Sequence, residues 1–300
     1  MEIVVPLEVS AEEESLLNMH SVLNVINIIN LELLEISGKL SRERAVLDLV
    51  EEISDVAQSL CDPEKAFEAV SHIDDLMERI RTTLVRVGKQ HDPVILETCK
   101  VNFDNLESIF SIVRIRAREI VSRKARKEEW VQHEVDHLNG NFHAFLKAVE
   151  VNSKGRYRIV DNVAEHQDGF YLVDFKVSSS NGTSILMPPV FQDVMRDILA
   201  NARKYTPPGG EIKGGLFFDE KELRYVVTDT GCGIPAGEIQ SVVKFGRRAQ
   251  NALDFPTRGG GFGLTKAYYV TRRYNGRMWI DSETGPASGT RVEIRIPLPA

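Results

Sequence analysis

Cysteine and long apolar runs are both scarce in this chain. Its three cysteines, Cys61, Cys99 and Cys232, are widely spaced and include no C-x-x-C pair, so neither a disulfide framework nor a zinc site is indicated. No apolar stretch approaches the ~18 residues that cross a bilayer, and the acidic start around Glu12 is unlike a signal peptide. These absences predict a cytoplasmic protein without a membrane span.

An excess of positive charge is also missing. The 300 residues carry a formal net charge of -7, which argues against a nucleic-acid binder held by overall attraction to phosphate. The basic residues between 114 and 127 are interpreted as the solvated face of a helix. With 42% hydrophobic and 27% charged residues, the composition is that of a globular chain with two domains.

Glycine and proline are rare from about residue 11 to 150, and apolar residues recur there three and four positions apart. Short breaks leave four predicted helical segments, at 11–37, 41–60, 64–89 and 94–150. The last has a further turn signal at 139–141. Helices joined by short turns pack most simply as a bundle, so residues 1–150 are predicted to form a helical domain.

After residue 155 the sequence pattern changes to short runs of β-forming residues separated by Gly, Asn and Pro. Strands are predicted at 157–163, 170–177, 223–229 and 291–296. Helices are predicted between them, at 189–204, 236–244 and 262–274. The mixture predicts an α/β sandwich over residues 151–300, and an α+β fold for the whole chain.

Two polar motifs in the second half suit a nucleotide. Asp197 and Asn201 are four residues apart on a predicted helix and share a face, where carboxylate and amide oxygens can hold magnesium or its bound water. Asp229 ends an apolar strand, where it can accept a hydrogen bond from an exocyclic amine. The glycines that follow, Gly231 and Gly233, let the backbone approach a flat ring, which is the chemistry that adenine requires.

Two further segments suit a polyphosphate. Glycines recur through 259–263 at the start of a predicted helix, where backbone N–H groups and the helix dipole attract anions. Residues 244–258 carry several cationic side chains and are interpreted as a mobile loop able to close over phosphates.

These motifs, in this order, resemble those of the catalytic domain of sensor histidine kinases, in the GHKL ATPase family that includes DNA gyrase. The matching strings are "DILANARKYTPPGGEI" for the N box, "DTGCGIP" and "GGGFGL" for the two Gly boxes, "VVKFGRRA" for the Phe box and "GTRVEIRIPLP" for the last strand. The resemblance spans about residues 188–298 and implies ATP and Mg2+ as cofactors. It departs at Asp197, where histidine kinases commonly carry Asn. There the acid would bind magnesium or act as a base.

The resemblance also implies roles for individual residues. Asn201 would be the magnesium ligand, and Lys204 and Tyr205 would border the nucleotide. Asp229 would contact the adenine amine, and Thr290 would lie beside adenine. The glycines would shape the adenine pocket or contact phosphates, and they are Gly231, Gly233, Gly259, Gly261 and Gly263.

His20 is the candidate phosphoacceptor in the helical half. It lies on an amphipathic segment one turn before Asn24. A neutral imidazole nitrogen exposed on a rigid helix can attack a γ-phosphoryl group, and the amide can orient water for the reverse hydrolysis. The segment resembles the H box of dimerisation and phosphotransfer domains. Ser21 stands where that family usually has Glu or Asp, and serine cannot accept the proton of the imidazole.

The other bundle histidines are weaker candidates. His133 and His137 form H-E-x-x-x-H and not the H-E-x-x-H of zinc proteases. Together with His72, they are interpreted as surface or linker residues.

The resemblance therefore implies a histidine autokinase that phosphorylates His20 and passes the phosphoryl group to an aspartate of a separate response regulator receiver domain. A separate sensory partner is expected, and a homodimer is favoured, although four helical segments in one chain could close a bundle alone. Two alternatives stay open. One is a serine kinase resembling the mitochondrial pyruvate dehydrogenase kinases, and the other is a nucleotide-dependent phosphotransfer or scaffold protein with weak autokinase activity.

Overall fold

The computed structural model describes residues 1–125, 129–151, 153, 155–219, 221–253, 255, 260–285 and 288–299. The chain divides into a helical unit, Val9–Lys127, and an α/β unit made of Met1–Glu8 with Glu128–Ala300. This division falls earlier than the predicted boundary at residue 150, because Leu138 and Phe142 belong to the core of the α/β unit.

The helical unit contains five helices: α1 (Ala11–Lys39), α2 (Arg44–Cys61), α3 (Ala66–Ser71), α4 (Ile73–Gly88) and α5 (Pro93–Ala125). A capping box starts α1, because the Ser10 hydroxyl accepts from the Glu13 N–H while the Glu13 carboxylate accepts from the Ser10 N–H. The long helix α1 packs against both α2 and α5. Its apolar stripe forms one core with the other helices, as predicted for a bundle.

Two of the predicted helical segments differ in the structure. The segment at 64–89 is divided at His72 into α3 and α4. The segment at 94–150 does not continue as one helix, since α5 ends at Ala125 and a strand, β1 (Val131–Glu134), precedes α6 (Val135–Val151). The turn signal at 139–141 is overridden, because Leu138 and Phe142 on either side of it are buried.

Among the described residues, one helix, α1, is long and apolar enough by length and composition to cross a membrane. Residues 15–31 contain no charged side chain, although asparagines interrupt the apolar run. A buried core helix meets the same criterion. In this helix Ile26, Ile29, Leu33 and Ile36 are 0% exposed within the core of the helical unit.

A buried polar network joins α1 to α5. The Asn102 amide donates to Oε2 of Glu32 at 2.6 Å and to Oε2 of Glu35 at 2.8 Å. Lys39 Nζ in turn donates to Oδ1 of Asn102 at 2.6 Å. Glu32 and Asn102 are 4% and 1% exposed, and displacing either would leave buried polar atoms unpaired. The network therefore fixes the register of α5 against α1.

The α/β unit is built on a six-stranded sheet whose strands lie in the order β2-β3-β5-β6-β8-β7. The first three strands in that order run parallel, and the remaining pairs are antiparallel. The strands are β2 (Ile159–Val160), β3 (Tyr171–Ser179), β5 (Glu211–Phe218), β6 (Glu222–Asp229), β7 (Arg277–Glu283) and β8 (Gly289–Pro297). A separate antiparallel pair joins β1 to β4 (Ser184–Met187).

Helices α6, α7 (Phe191–Tyr205) and α8 (Gly263–Arg273) pack against the sheet. Tyr225 on β6 is 0% exposed beneath them and donates from its hydroxyl to the Met195 carbonyl of α7 at 2.8 Å. The layered α/β architecture and the predicted helices at 189–204 and 262–274 are confirmed. The predicted helix at 236–244 is wrong, since only the short 3-10 turn Ala236–Glu238 forms there.

The N-terminal segment extends the edge of this sheet. Glu2 forms an antiparallel bridge with Trp279 on β7, and the Ile3 N–H donates to the Met278 carbonyl at 2.9 Å. The Ile3 side chain is 2% exposed. The Tyr268 hydroxyl of α8 donates to the Val5 carbonyl at 2.8 Å. Residues 1–8 are thus part of the α/β unit although the helical unit follows them in the chain.

Candidate nucleotide site and phosphoacceptor

Asn201 and the glycine-rich turn meet between α7 and α8. A Cβ atom added to Gly263, at the start of α8, would lie 2.7 Å from the Asn201 amide nitrogen. The sequence predicted both residues for the nucleotide, and the structure brings them into contact. The start of α8 offers free backbone N–H groups to an anion. A phosphate bound there would therefore lie beside Asn201, the candidate metal ligand.

Asp229 ends β6, and the loop that follows it packs on the end of α7, where the Cys232 N–H donates to the Tyr205 carbonyl at 3.1 Å. Oδ1 of Asp229 accepts a hydrogen bond from the Gly231 N–H at 2.8 Å. Burial raises the pKa of Asp229 to about 6, against the lowering effect of the backbone N–H groups of Gly231 and Thr290. Thr290 on β8 is the register partner of Asp229. The predicted adenine acceptor and Thr290 are therefore neighbours, and both are partly buried.

The loop after β6 requires glycine. Gly233 has a φ of 70°, and an added Cβ would lie 1.8 Å from the Glu283 carbonyl oxygen at the end of β7. A Cβ on Gly231 would lie 2.6 Å from the Tyr205 carbonyl oxygen. The backbone of this loop therefore packs directly on two neighbouring chain segments, which holds its shape for a flat ligand.

The glycine-rich turn before α8 is equally constrained. Gly261 has a φ of 77°, and an added Cβ would lie 2.7 Å from the Arg247 carbonyl oxygen. Gly259, the other glycine assigned to phosphate contact, lies outside the described residues. The turn is thus packed against the segment that the sequence predicted as a loop over the phosphates.

Like charges are concentrated beside the site. Burial, together with the nearby guanidinium groups of Arg248 and Arg203, lowers the pKa of Lys204 to about 8. The Lys204 ammonium lies 5.0 Å from the centroid of the Tyr205 ring. Cations that repel one another in the free protein are stabilised by a bound anion, so this cluster suits a polyphosphate.

Asn251 is a residue that the motifs did not identify. Its side-chain amide donates to the carbonyls of Cys232 and Gly233 at 3.2 and 2.9 Å. On the other side of the same segment, the Phe245 and Phe262 rings lie 4.7 Å apart. Both glycine motifs are therefore tied to the segment 245–253. No sequence signal could find this link, because Asn251 lies outside both motifs, in the short 3-10 turn Gln250–Ala252.

The pair Asp197 and Asn201 fits a hard cation in part. Oδ2 of Asp197 is buried and has no hydrogen-bond partner, and the amide oxygen of Asn201 lies one helical turn away. Within the described ranges, no cluster of three or more His, Cys, Asp or Glu side chains could hold a metal ion. Magnesium commonly binds one or two carboxylates together with substrate phosphates, so the remaining ligands would have to come from ATP and water.

His20 and Asn24 are adjacent on α1, as predicted, with 3.0 Å between Nε2 of His20 and the Asn24 amide nitrogen. The expectation of an exposed imidazole is wrong, since His20 is 7% exposed. Ser21 is 2% exposed, and its hydroxyl has no hydrogen-bond partner. Arg116 of α5 donates to the Ser21 carbonyl at 3.0 Å. The candidate acceptor therefore lies in a packed environment, with a guanidinium beside its helical turn.

The other histidines considered as acceptors, His72, His133 and His137, do not gather into a site. His133 lies on β1, where it pairs with Ile185 of β4, and burial lowers its pKa. His137 is exposed on α6. His72 lies between α3 and α4, with Nδ1 2.9 Å from the Glu68 carbonyl. His72 and His137 are therefore connecting and surface residues, as interpreted, whereas His133 lies on a strand with its Nε2 buried.

The known proteins that this chain matches include sensor kinases. Residues 188–300 match the model of the "Histidine kinase-, DNA gyrase B-, and HSP90-like ATPase" family. The adaptive-response sensory kinase SasA of Synechococcus elongatus is 26% identical over 258 residues, which cover 83% of this chain and 63% of that protein. The sensor histidine kinase Hik2 of Thermosynechococcus vestitus is 36% identical over 108 residues, which cover 36% of this chain and 28% of that protein.

A solved structure, the mycobacterial sensor histidine kinase MprB, matches 56% of this chain and 97% of its own, with 21% identity and a TM-score of 0.40. The chain spans less than two thirds of the length of SasA and of Hik2.

Proposed function

We propose that this chain, which belongs through residues 188–300 to the histidine kinase-, DNA gyrase B- and HSP90-like ATPases, is an ATP-dependent protein histidine autokinase. One observation carries the proposal. Asn201 and Gly263, found separately as motifs, are in contact, and the loop that follows Asp229 packs on the end of the same helix α7, where the Cys232 N–H donates to the Tyr205 carbonyl. The relatives SasA and Hik2 are kinases by name.

In this proposal the two ends of ATP are bound by different elements. The Asp229 carboxylate accepts the adenine amine, with Thr290 beside the ring and Gly231 and Gly233 shaping the pocket. The start of α8 and the cations around Lys204 bind the phosphates. Asn201, with Asp197, holds Mg2+, which supplies charge neutralisation at the phosphate oxygens.

His20 is the proposed acceptor. An imidazole nitrogen forms a bond to the γ-phosphorus as the bond from phosphorus to the bridging oxygen breaks and ADP leaves. Asn24 holds Nε2 in the free protein, so the amide must turn away if that nitrogen is the one that reacts. Because Ser21 cannot accept a proton, we expect slow autophosphorylation compared with relatives that have an acid there.

The proposed partners follow from the same reading. The phosphoryl group passes to an aspartate of a separate response regulator receiver domain, and a separate sensory protein supplies the signal. A second copy of the chain and a cytoplasmic location are also part of the proposal. Proteins of this class depend on partner contacts that no motif of this chain encodes.

A serine kinase is the second candidate. The burial of His20 favours it, because an acceptor inside a packed bundle is poorly placed for attack. Such an enzyme would use the same nucleotide site and transfer the phosphoryl group to a hydroxyl of another protein.

Labelling with γ-labelled ATP and magnesium distinguishes the two. We compare the wild type with His20→Gln and Asn201→Ala, and treat the labelled protein with acid and with base. The expected result is a label that is lost in acid, survives base, and is absent from both variants. His137→Gln is the matched control and should retain the label, because His137 is exposed in the other unit.

Other results would contradict autophosphorylation of His20. A label that persists in His20→Gln moves the acceptor elsewhere, and an acid-stable label supports the serine kinase. ATP binding without any label supports the phosphotransfer or scaffold reading.

A further inference from the structure

Lys266 is a buried cation in the α/β unit that no motif predicts. It lies in the first turn of α8, three residues after Gly263, and is 1% exposed. Its Nζ is 3.0 Å from Oδ2 of Asp193 and 3.8 Å from Oδ2 of Asp197. Burying an ammonium group is costly unless it is paired. The two carboxylates of α7 therefore hold Lys266 in place.

The carboxylates of Asp193 and Asp197 differ in their hydrogen-bond partners. Asp193, 2% exposed, accepts a hydrogen bond from Lys266 and has Arg196 at 3.2 Å from its other oxygen. Asp197 lies within ion-pair distance of Lys266 but beyond hydrogen-bonding length. Its Oδ2 is buried without a hydrogen-bond partner. Lys266 thus compensates the charge of Asp197 and leaves an oxygen able to bind something else.

The same face of α7 carries Asn201. Asp193, Asp197 and Asn201 are spaced by four residues, so their side chains follow one another along the helix. Asn201 contacts Gly263 at the start of α8, and Lys266 lies one turn further along α8. The candidate metal ligands on α7 and the phosphate-binding turn of α8 are therefore joined at two points.

We propose that Lys266 is a positioning residue that makes metal binding at Asp197 and Asn201 depend on the nucleotide. This inference rests on the proposed function, because it takes this site to be where ATP binds with magnesium. The ammonium holds the Asp197 carboxylate one turn from Asn201 and cancels its charge. A divalent cation alone then meets two protein ligands and little net negative charge. ATP supplies both the missing oxygens and the missing charge.

The charge on Lys266 has a measurable consequence. A positive charge about 4 Å from a ligand carboxylate weakens cation binding there on the order of tenfold. Removing it while preserving the packing should let the free protein bind a divalent cation without nucleotide. The double variant K266M/D193N removes one charge of each sign with side chains of similar size, and replacing both members of a buried pair avoids leaving one of them alone.

Manganese is the probe, because its free ion is counted directly by electron paramagnetic resonance. The measurement is made on the full chain without nucleotide. K266M/D193N is expected to bind Mn2+ about tenfold more tightly than the wild type. Asp193→Asn alone keeps the lysine and is expected to show no gain. Adding Asp197→Asn to the double variant is expected to abolish the gain, because the ligand carboxylate is then gone.

Thermal unfolding establishes that each variant is folded before the comparison. If K266M/D193N does not fold, Lys266→Gln is used instead, since Asp193 there keeps Arg196. A folded variant that binds Mn2+ no more tightly than the wild type overturns the proposal and leaves Lys266 a purely structural residue. Mn2+ binding is measured without ATP or phosphoryl transfer. Its result therefore does not depend on whether the protein is a kinase.

Discussion

Two ionisable residues of the α/β unit, Asp229 and Lys204, have shifted pKa values. Asp229 was predicted as an adenine contact from its place after a strand. Its pKa of about 6 arises from burial, which depends on how the loop after β6 packs. Lys204 was likewise predicted from a motif, whereas its lowered pKa depends on burial and on Arg248, a residue far along the chain.

The pH dependence of ATP affinity tests the role of Asp229. Its carboxyl is ionised above about pH 6 and protonated below, and the ionised form is the stronger acceptor for the adenine amine. We expect ATP affinity, measured by calorimetry, to fall several-fold as the pH is lowered through about 6. Asp229→Asn should bind more weakly and lose this dependence. A wild type and an Asp229→Asn protein with parallel pH profiles would show that Asp229 does not contact the adenine.

The Asp229 carboxyl also makes the stability of the free protein depend on pH, in the direction opposite to its effect on ATP affinity. Its folded pKa is raised from 3.8 to about 6, so the native state binds the proton more tightly than the unfolded chain does. The resulting stabilisation is complete below the unfolded pKa and is lost as the pH rises through about 6.

Loops and turns, more than helices and strands, shape the candidate site. The glycines of both motifs pack against the carbonyls of other segments. Their positions followed from the motifs, whereas their partners did not, because Glu283 and Arg247 are far from them in sequence. Periodicity predicted α1, α7 and α8 well. It missed the break after α5 and the helical run through 139–141, where tertiary burial overrides local signals.

Gly233→Ala tests how strictly the loop after β6 is constrained. A left-handed conformation costs a non-glycine residue about 1–2 kcal/mol, and the Cβ would also collide with the Glu283 carbonyl. We expect the free energy of unfolding, from chemical denaturation, to fall by at least that amount and ATP affinity to drop. Gly237→Ala is the matched control, since a Cβ there meets nothing within 4 Å. Equal behaviour of the two variants would contradict the packing described for the loop.

At the scale of the whole molecule, the helical unit completes a bundle from one chain. Helix α1 is covered by α2 and α5 of the same chain, and the network around Glu32 and Asn102 fixes that pairing. The sequence favoured a homodimer, by resemblance to kinases in which two hairpins from two copies build the bundle. In this chain the apolar stripe of α1 is buried by helices of the same copy.

Mixing two inactive variants tests whether the phosphoryl group moves within one chain. His20→Gln lacks the proposed acceptor, and Asn201→Ala lacks the proposed metal ligand. Because one chain completes its own bundle, we expect the mixture to remain unlabelled by γ-labelled ATP, while the wild type is labelled. Label on the Asn201→Ala protein in the mixture would instead demonstrate transfer between copies.

The N-terminal segment has a consequence for how the chain can be cut. The α/β unit includes Met1–Glu8 as well as Glu128–Ala300, so the helical unit is an insertion within it and not an appendage. A fragment that begins after the bundle would lose the segment paired with β7 and would uncover a sheet edge, which invites aggregation. Circular permutation, with residues 1–8 moved behind the last strand by a flexible linker, would preserve that edge and make the nucleotide-binding half a protein in its own right.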